Sequence, residues 1–338
     1  MLDRFGRNIE YLRISVTDKC NLRCRYCMPR DVVSVPMKDI LTIEEIVYIA
    51  GIMTELGVKK IKITGGEPLV RRGCCELVRM LKEMAGVKQV TLTTNGVLLK
   101  GYLKELKDAG LDGVNISIDT LDEELYKMIT GADELKAVLS SLNEALSYNI
   151  PVKVNTVSVD WEKIGGVSHR EGSESLSELM RLVEFARDKE ICVRFIEMMP
   201  LGYGRDFPSV PHDLLIPYIK EKYKGMELDE GEYGNGPASY YSIPGFKGRI
   251  GFISAINNKF CDSCNRVRLT TKGYLKSCLC YDNGVELMEL LRSDRKEAEK
   301  HDKIKSLIEE VIFKKPKKHS FEDPGRISER NIMSRIGG

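Results

Sequence analysis

The sequence has no run of about 18 apolar residues, and its first ten, Met1 to Glu10, alternate charges without an apolar core. Neither a membrane span nor a secretory leader is expected, and the chain is read as cytoplasmic. An excess of charge of one sign is missing as well, since 52 Lys and Arg stand against 50 Asp and Glu. No overall field then draws the chain to nucleic acid or membrane, and an anionic ligand has to be met by a local group of cations. Histidine is scarce: His169, His212, His301 and His319 stand at no ligand or triad spacing, so they are read as ordinary polar residues and acid–base catalysis is not expected to be the main chemistry. Neither a Gly-x-x-x-x-Gly-Lys-Ser/Thr loop nor a Gly-x-Gly-x-x-Gly motif occurs. Any phosphates must therefore be held by side-chain cations.

Cysteine, by contrast, is abundant, with ten in 338 residues. In a reducing compartment, clustered thiols are metal ligands or catalytic groups more often than disulfides. Cys20, Cys24 and Cys27 offer three thiolates in one short loop, enough for three corners of a [4Fe-4S] cube with the fourth iron open. A zinc site borrowing a distant ligand is the alternative. Cys261, Cys264 and Cys278 form a second triplet, and Cys280 beside it leaves a four-thiolate structural zinc site open as a reading. Against zinc, Arg266 and Arg268 follow Cys264 in an Asn-Arg-Val-Arg-Leu run that places both guanidiniums on one face of a strand beside the metal. Cys74, Cys75 and Cys192 are scattered and read as small buried residues.

Six β-branched runs read as strands: 11–15, 60–64, 89–93, 113–118, 152–157 and 191–196. Amphipathic segments separate them, among them Thr42 to Leu56, with Thr42 as N-cap and Glu45 at the capping-box position, and Glu134 to Tyr148. Such alternation implies a parallel α/β sheet, doubly wound or bent into a partial barrel. The polar residues of interest follow the strands: the first cysteines, Gly65-Gly66-Glu67-Pro68, Thr94-Asn95-Gly96, Ser117, Asp119, Asn155 and Glu197 to Met199. One shared site at the C-terminal strand edge is expected. Asp160 to Ser177 reads as a mobile surface loop, and from about Pro200 the alternation stops.

The Cys20-x-x-x-Cys24-x-x-Cys27 loop with Tyr26, followed by Gly65-Gly66-Glu67-Pro68, resembles the signature of the radical S-adenosylmethionine superfamily. The stretch Phe260 to Thr270, Cys278 and the terminal Gly-Gly extend the resemblance over almost the whole chain, to the GTP 3′,8-cyclase family of molybdenum-cofactor biosynthesis. So do Leu12 to Cys20, Lys60 to Pro68 and Arg194 to Glu197. The resemblance implies a partial (β/α)6 TIM-like barrel over residues 1–215 and a smaller C-terminal iron-sulfur domain over 216–338. It implies two [4Fe-4S] clusters, on Cys20, Cys24 and Cys27 and on Cys261, Cys264 and Cys278, with S-adenosylmethionine lined by Tyr26, Gly66, Ser117 and Met199. GTP would be held by Arg13, Lys62, Thr93, Lys153, Arg266, Val267 and Arg268, with catalytic roles for Arg266, Arg268, Gly337 and Gly338.

The implied reaction is cleavage of S-adenosylmethionine to a 5′-deoxyadenosyl radical, removal of the 3′ hydrogen of GTP, and closure of C3′ onto C8 to give 3′,8-cyclo-7,8-dihydro-GTP. An electron donor, a pyranopterin monophosphate synthase as consumer of the product, and a homodimer are the implied partners. Lys62 stands where many relatives carry Arg, and the Asp160 to Ser177 loop is longer than usual by about ten residues. A radical enzyme acting on a peptide and a zinc-stabilised binding module are the rival readings; neither needs the Arg266–Arg268 pair.

Overall fold

The computed structural model describes residues 1–28, 31–164, 174–231 and 233–336. His169, the 165–173 part of the expected loop and the terminal Gly337-Gly338 lie outside the described residues. Residues 174–177, expected as loop, open a helix instead.

All six expected strands form: β1 (Tyr11–Ser15), β2 (Lys60–Thr64), β3 (Gln89–Thr94), β4 (Gly113–Ser117), β5 (Val152–Val157) and β6 (Ile191–Ile196). They pair in chain order, each parallel to the next. The crossovers carry α1 (Ile43–Glu55), α2 (Cys74–Glu83), α3 (Leu103–Asp108), α4 (Glu123–Thr130), α5 (Leu135–Ser147) and α6 (Glu174–Phe185). Helix α1 begins as expected: Thr42 Oγ1 accepts the Glu45 N–H at 3.1 Å, and the Thr42 N–H donates to the Glu45 carboxylate at 2.8 Å. Alternation along each strand sorts the side chains. Leu12, Ile14, Ile61, Ile63, Val90 and Leu92 join the apolar layer under the helices, while Arg13, Lys62, Thr91 and Thr93 turn to the other face.

The sheet is larger than the sequence pattern implies. After β6 come α7 (His212–Lys222), β7 (Glu227–Asp229), β8 (Ser239–Ser242) and β9 (Arg249–Ile253). Then follow β10 (Arg266–Leu269), β11 (Tyr274–Lys276), β12 (Gly284–Glu286), α8 (Met288–Leu291), α9 (Glu297–Phe313) and α10 (Met333–Ile336). Strand β9 adds parallel to β6 and β10 adds parallel to β1, so the six-stranded parallel core becomes eight. The β7–β8 and β11–β12 ribbons flank it in antiparallel pairing, completing one twelve-stranded sheet whose end strands, β12 and β7, do not meet. It is an open barrel, as the α/β partial-barrel expectation requires. The division expected between residues 215 and 216 falls inside α7.

The C-terminal segment is fastened by a buried charge pair. Lys276 on β11 donates to Glu329, the two side chains being 1% and 0% exposed. Glu329 also accepts the Asn331 N–H at 2.6 Å. Removing one member of a buried pair leaves the other uncompensated. Glu329→Ala is therefore expected to lower stability by about 3–5 kcal/mol, read as a shift of the urea midpoint; an unchanged midpoint would show the pair to be energetically idle.

Candidate active site

The concave face of the sheet encloses a cavity of about 770 Å³ that both cysteine triplets line. At the rim, Cys20 Sγ accepts the Leu22 N–H at 3.4 Å and faces Asn95 Nδ2 at 3.7 Å. Burial pushes Cys24 well above its ordinary range, with the neighbouring Cys27, Asp119 and Cys20 adding to it, and takes Cys27 up to about 12 against an opposing hydrogen bond from the Ser334 N–H. Three adjacent half-buried thiols lose their protons together only when a cation supplies the opposite charge, which is the chemistry of a metal-binding donor set.

Two loops close around that triplet. The Gly66 N–H donates to Thr17 O at 2.7 Å, and a Cβ at Gly66 would fall 2.3 Å from Lys19 O and 2.7 Å from Asp18 O, so only glycine fits. Next to it, the fully buried Glu67 accepts from the Asn95 N–H at 2.7 Å, Thr94 Oγ1 at 2.8 Å and the Leu69 N–H at 3.1 Å. Burial raises its carboxyl to about 7 despite those donors. Glu67 thereby joins the glycine loop to the loop after β3, whose Asn95 donates to Asn21 Oδ1 at 2.8 Å beside Cys20. Opposite, the Tyr26 hydroxyl donates to Asp119 at 2.6 Å, and the other Asp119 oxygen accepts the Val157 N–H at 2.9 Å. Burial lifts Asp119 to about 6.

The second triplet lies across the cavity. Cys261, Cys264 and Cys278 line it, whereas Cys280 turns away into an apolar cluster with Leu201, Ala255 and Phe321. Burial alone would raise Cys264, but the charges of Lys315 and Arg266 and the Arg266 N–H bring it down to about 6. Lys315, 2% exposed, donates to Arg266 O at 2.9 Å and to Ser277 O. Arg7 donates to Cys261 O at 2.8 Å and Pro316 O at 2.7 Å. The buried Glu197 holds the approach to Cys261, accepting from the Ile256 N–H at 2.7 Å and from Asn257 Nδ2 at 2.8 Å. Among the described residues, no three His, Cys, Asp or Glu side chains converge to hold a single metal ion.

Between the triplets the wall is basic. Arg13, Lys62, Lys153, Arg194, Arg266 and Arg268 all face the cavity. Burial lowers Lys62 well below its ordinary range, and Arg194, Arg13, Lys153 and Arg266 lower it further. Lys153 falls to about 8 through burial and the charge of Arg194. Arg194 donates to Asn155 Oδ1 at 3.0 Å through Nε.

The family model of the Radical SAM superfamily matches residues 14–162, and that of Molybdenum Cofactor Synthesis C matches 191–321. GTP 3′,8-cyclase of Clostridium perfringens strain 13 is 40% identical over 340 residues, the full length of both chains. That of Peptoclostridium acidaminophilum is 43% identical over 342 residues, covering all of this chain and 98% of its own. The chain belongs to the GTP 3′,8-cyclase family. Its fold is also that of Streptococcus suis SuiB bound to S-adenosylmethionine, with a TM-score of 0.61 at 15% identity over 96% of this chain and 76% of the other.

A GTP 3′,8-cyclase of the radical S-adenosylmethionine fold carries a [4Fe-4S] cluster and S-adenosylmethionine, and the residues present fit both: three half-buried thiols in one loop, and at Gly66 a cradle that a Cβ would fill. Both triplets, Tyr26, Gly66, Ser117 and Met199, and Arg13, Lys62, Thr93, Lys153, Arg266 and Arg268 all line this one cavity. Val267 stands apart, its side chain in the hydrophobic core. Arg13 and Lys62 sit mid-strand, and alternation along β1 and β2 turns them into the cavity. Sequence reasoning gave no site role to Arg7, Glu67, Lys315 or His319, whose N–H donates to Cys261 Sγ at 3.4 Å. A charged residue at an otherwise buried position within one residue of a motif was the signal available for Glu67; Arg7 and Lys315 carried none.

Gly66→Ala is expected to weaken S-adenosylmethionine binding to the reconstituted protein by about tenfold or more, since backbone has to move to admit the methyl. Wild-type affinity in an equilibrium titration would show that the loop does not contact this ligand.

Proposed function

We propose that this protein converts GTP to 3′,8-cyclo-7,8-dihydro-GTP. The observation that carries the reading is a single cavity with a cysteine triplet at each side and six cations between, in a chain that matches GTP 3′,8-cyclases end to end. Cys20, Cys24 and Cys27 would hold the first cluster, and Cys261, Cys264 and Cys278 would hold a second on the substrate side of the cavity. When bound, the first cluster and S-adenosylmethionine together supply the radical that removes hydrogen from the ribose, a bond too weakly acidic for any side-chain base.

The chain's own residues place and shield. Tyr26, Gly66, Ser117 and Met199 hold S-adenosylmethionine at the rim, with Asp119 fixing the Tyr26 ring. Arg13, Lys62, Lys153, Arg266 and Arg268 meet the triphosphate, and Thr93 contacts the nucleotide between them; arginines give bidentate contacts and lysines point charges. Val267 contributes through its backbone, between two arginines. Alignment of C3′ with C8 converts ring closure to an intramolecular step, and the walls keep water away from it. Residues 1–215 supply the S-adenosylmethionine side together with Arg13, Lys62, Thr93 and Lys153 of the substrate side, and 216–338 supply the second triplet, Arg266 and Arg268. A catalytic role beside Arg266 and Arg268 is part of this reading for Gly337 and Gly338, which lie outside the described residues. Support comes from α10, which brings Met333 to the cavity lining and the Ser334 N–H to Cys27. An electron donor precedes the reaction and a pyranopterin monophosphate synthase consumes its product, in the cytoplasm; no described helix is long and apolar enough to cross a membrane.

Separate roles for the triplets give the first test. Cys20→Ala is expected to abolish S-adenosylmethionine cleavage, whereas Cys261→Ala retains some uncoupled cleavage and loses GTP turnover; equal loss of both activities in both variants would contradict the division. The second test is pH. Lys153 in the free protein loses its proton above about 8, so rising pH removes a phosphate partner. GTP affinity should then fall by up to about tenfold per pH unit above that point, and Lys153→Arg should flatten the profile. A wild-type dissociation constant that is flat from pH 7 to 9 would remove Lys153 from the phosphate site.

A further inference from the structure

The cavity has a second end. At the N-terminal edge of the sheet its lining is Gln89 at the start of β3, Gly113 at the start of β4 and Pro151 just before β5. There the β7–β8 connection crosses under the strands, and residues 233–237 complete the lining. The crossing segment is pinned on both sides. The Tyr233 hydroxyl donates to Asp229 at 2.7 Å, Arg249 pairs with the same carboxylate at 2.6 Å, and the Tyr233 ring lies 5.0 Å from that of Tyr240. On the far side, the Asn235 amide donates to the Gln89 side-chain oxygen.

Gly234 lies against Lys153, such that a Cβ built on it would come within 2.7 Å of Lys153 Nζ. Its φ is not in the left-handed region, so the missing side chain provides room for the ammonium group rather than backbone freedom. The N–H groups of Gly234, Asn235 and Gly236 make no hydrogen bond among the described residues. Successive free backbone donors in a turn form an anion-binding concavity. Strands of five to six residues span about 17–20 Å. That is the reach of a base at the cysteine rim, a ribose and an extended triphosphate.

We infer that residues 233–237 are a floor that measures polyphosphate length: they seat the terminal phosphate of GTP between Lys153 and the backbone of Gly234 to Gly236, and they exclude a longer chain. The inference rests on the cyclase reading and adds to it the element that sets the number of phosphates. Asp229 and Arg249 act as positioning residues through Tyr233, and Gln89 acts through Asn235.

The test is equilibrium binding of GMP, GDP, GTP and guanosine 5′-tetraphosphate to the anaerobically reconstituted protein. Affinity should rise from GMP to GTP and drop by about tenfold or more for the tetraphosphate, whose last phosphate has no room. Asn235→Ala, which frees the floor from Gln89, should narrow that drop. Gly234→Asp, which sets a carboxylate against Lys153, should weaken GTP by about ten- to a hundredfold while leaving GMP within about twofold. Retained GMP binding also reports that the variant is folded. Equal wild-type affinity for the tetraphosphate and GTP would overturn the inference and leave the cyclase reading standing, as would a Gly234→Asp variant that binds GTP normally. A wild-type protein that binds no guanine nucleotide would overturn both.

Discussion

Crowded positive charge inside an open barrel is the constraint on which the rest of this structure depends. Lys62 is buried and Lys153 half-buried, neither with a carboxylate partner among the described residues, and the charges that act on Lys62 are those of Arg194, Arg13, Lys153 and Arg266. Arg13 and Arg268 are lowered by burial and by the same neighbours. Buried charge is costly unless it is compensated. A chain that keeps such a group between two thiol triplets is arranged for a polyanion, and a nucleoside triphosphate fits that arrangement. Burial and, after it, the charge of Arg194 depress Lys153 in the free state, and an arriving phosphate opposes both, so binding and charge state are linked.

The elements around that basic wall are tied together by a few buried carboxylates acting as hydrogen-bond acceptors for backbone. Glu67 connects the glycine loop to the loop after β3, and Glu197 connects β6, which leads to Met199, with the chain segment leading to Cys261. Asp119 fixes Tyr26 to β5. None of these three needs to touch a ligand to matter. Each fixes the distance between two parts of the site, and radical chemistry tolerates little error in the placement of reacting atoms. Their burial is consistent with that task, since each oxygen is satisfied by fixed donors rather than by water.

Much of this was legible in the sequence, for identifiable reasons. Strands β1 to β6 are long, β-branched and separated by helical periodicity, so all appear within one residue of expectation. The capping box at Thr42 and Glu45 is a local code and forms as read. Strands β9 and β10 were not read as part of a parallel core because no helical periodicity precedes them after Pro200 in the way it separates β1 to β6, and because they pair with β6 and β1 across long sequence separations, β10 with residues some 250 positions earlier. Two arginines one residue apart in β10 did show which face they share, because alternation needs no tertiary information. Arg7 and Lys315 were invisible for the opposite reason: their roles come from distant backbone carbonyls, at Cys261 and at Arg266 and Ser277. Nothing in local pattern marks a lysine that ends up buried.

The orientation proposed for GTP, with its ribose toward the rim and its phosphates on the basic wall, is tested most directly by isotope. Anaerobically reconstituted protein would be incubated with S-adenosylmethionine, a reductant and GTP deuterated at a single ribose position, and both the nucleotide product and 5′-deoxyadenosine analysed by mass spectrometry. The account predicts a cyclised nucleotide, with deuterium in 5′-deoxyadenosine from the 3′ position and from no other. Transfer from a different ribose carbon, or 5′-deoxyadenosine formed without any cyclised nucleotide, would contradict it.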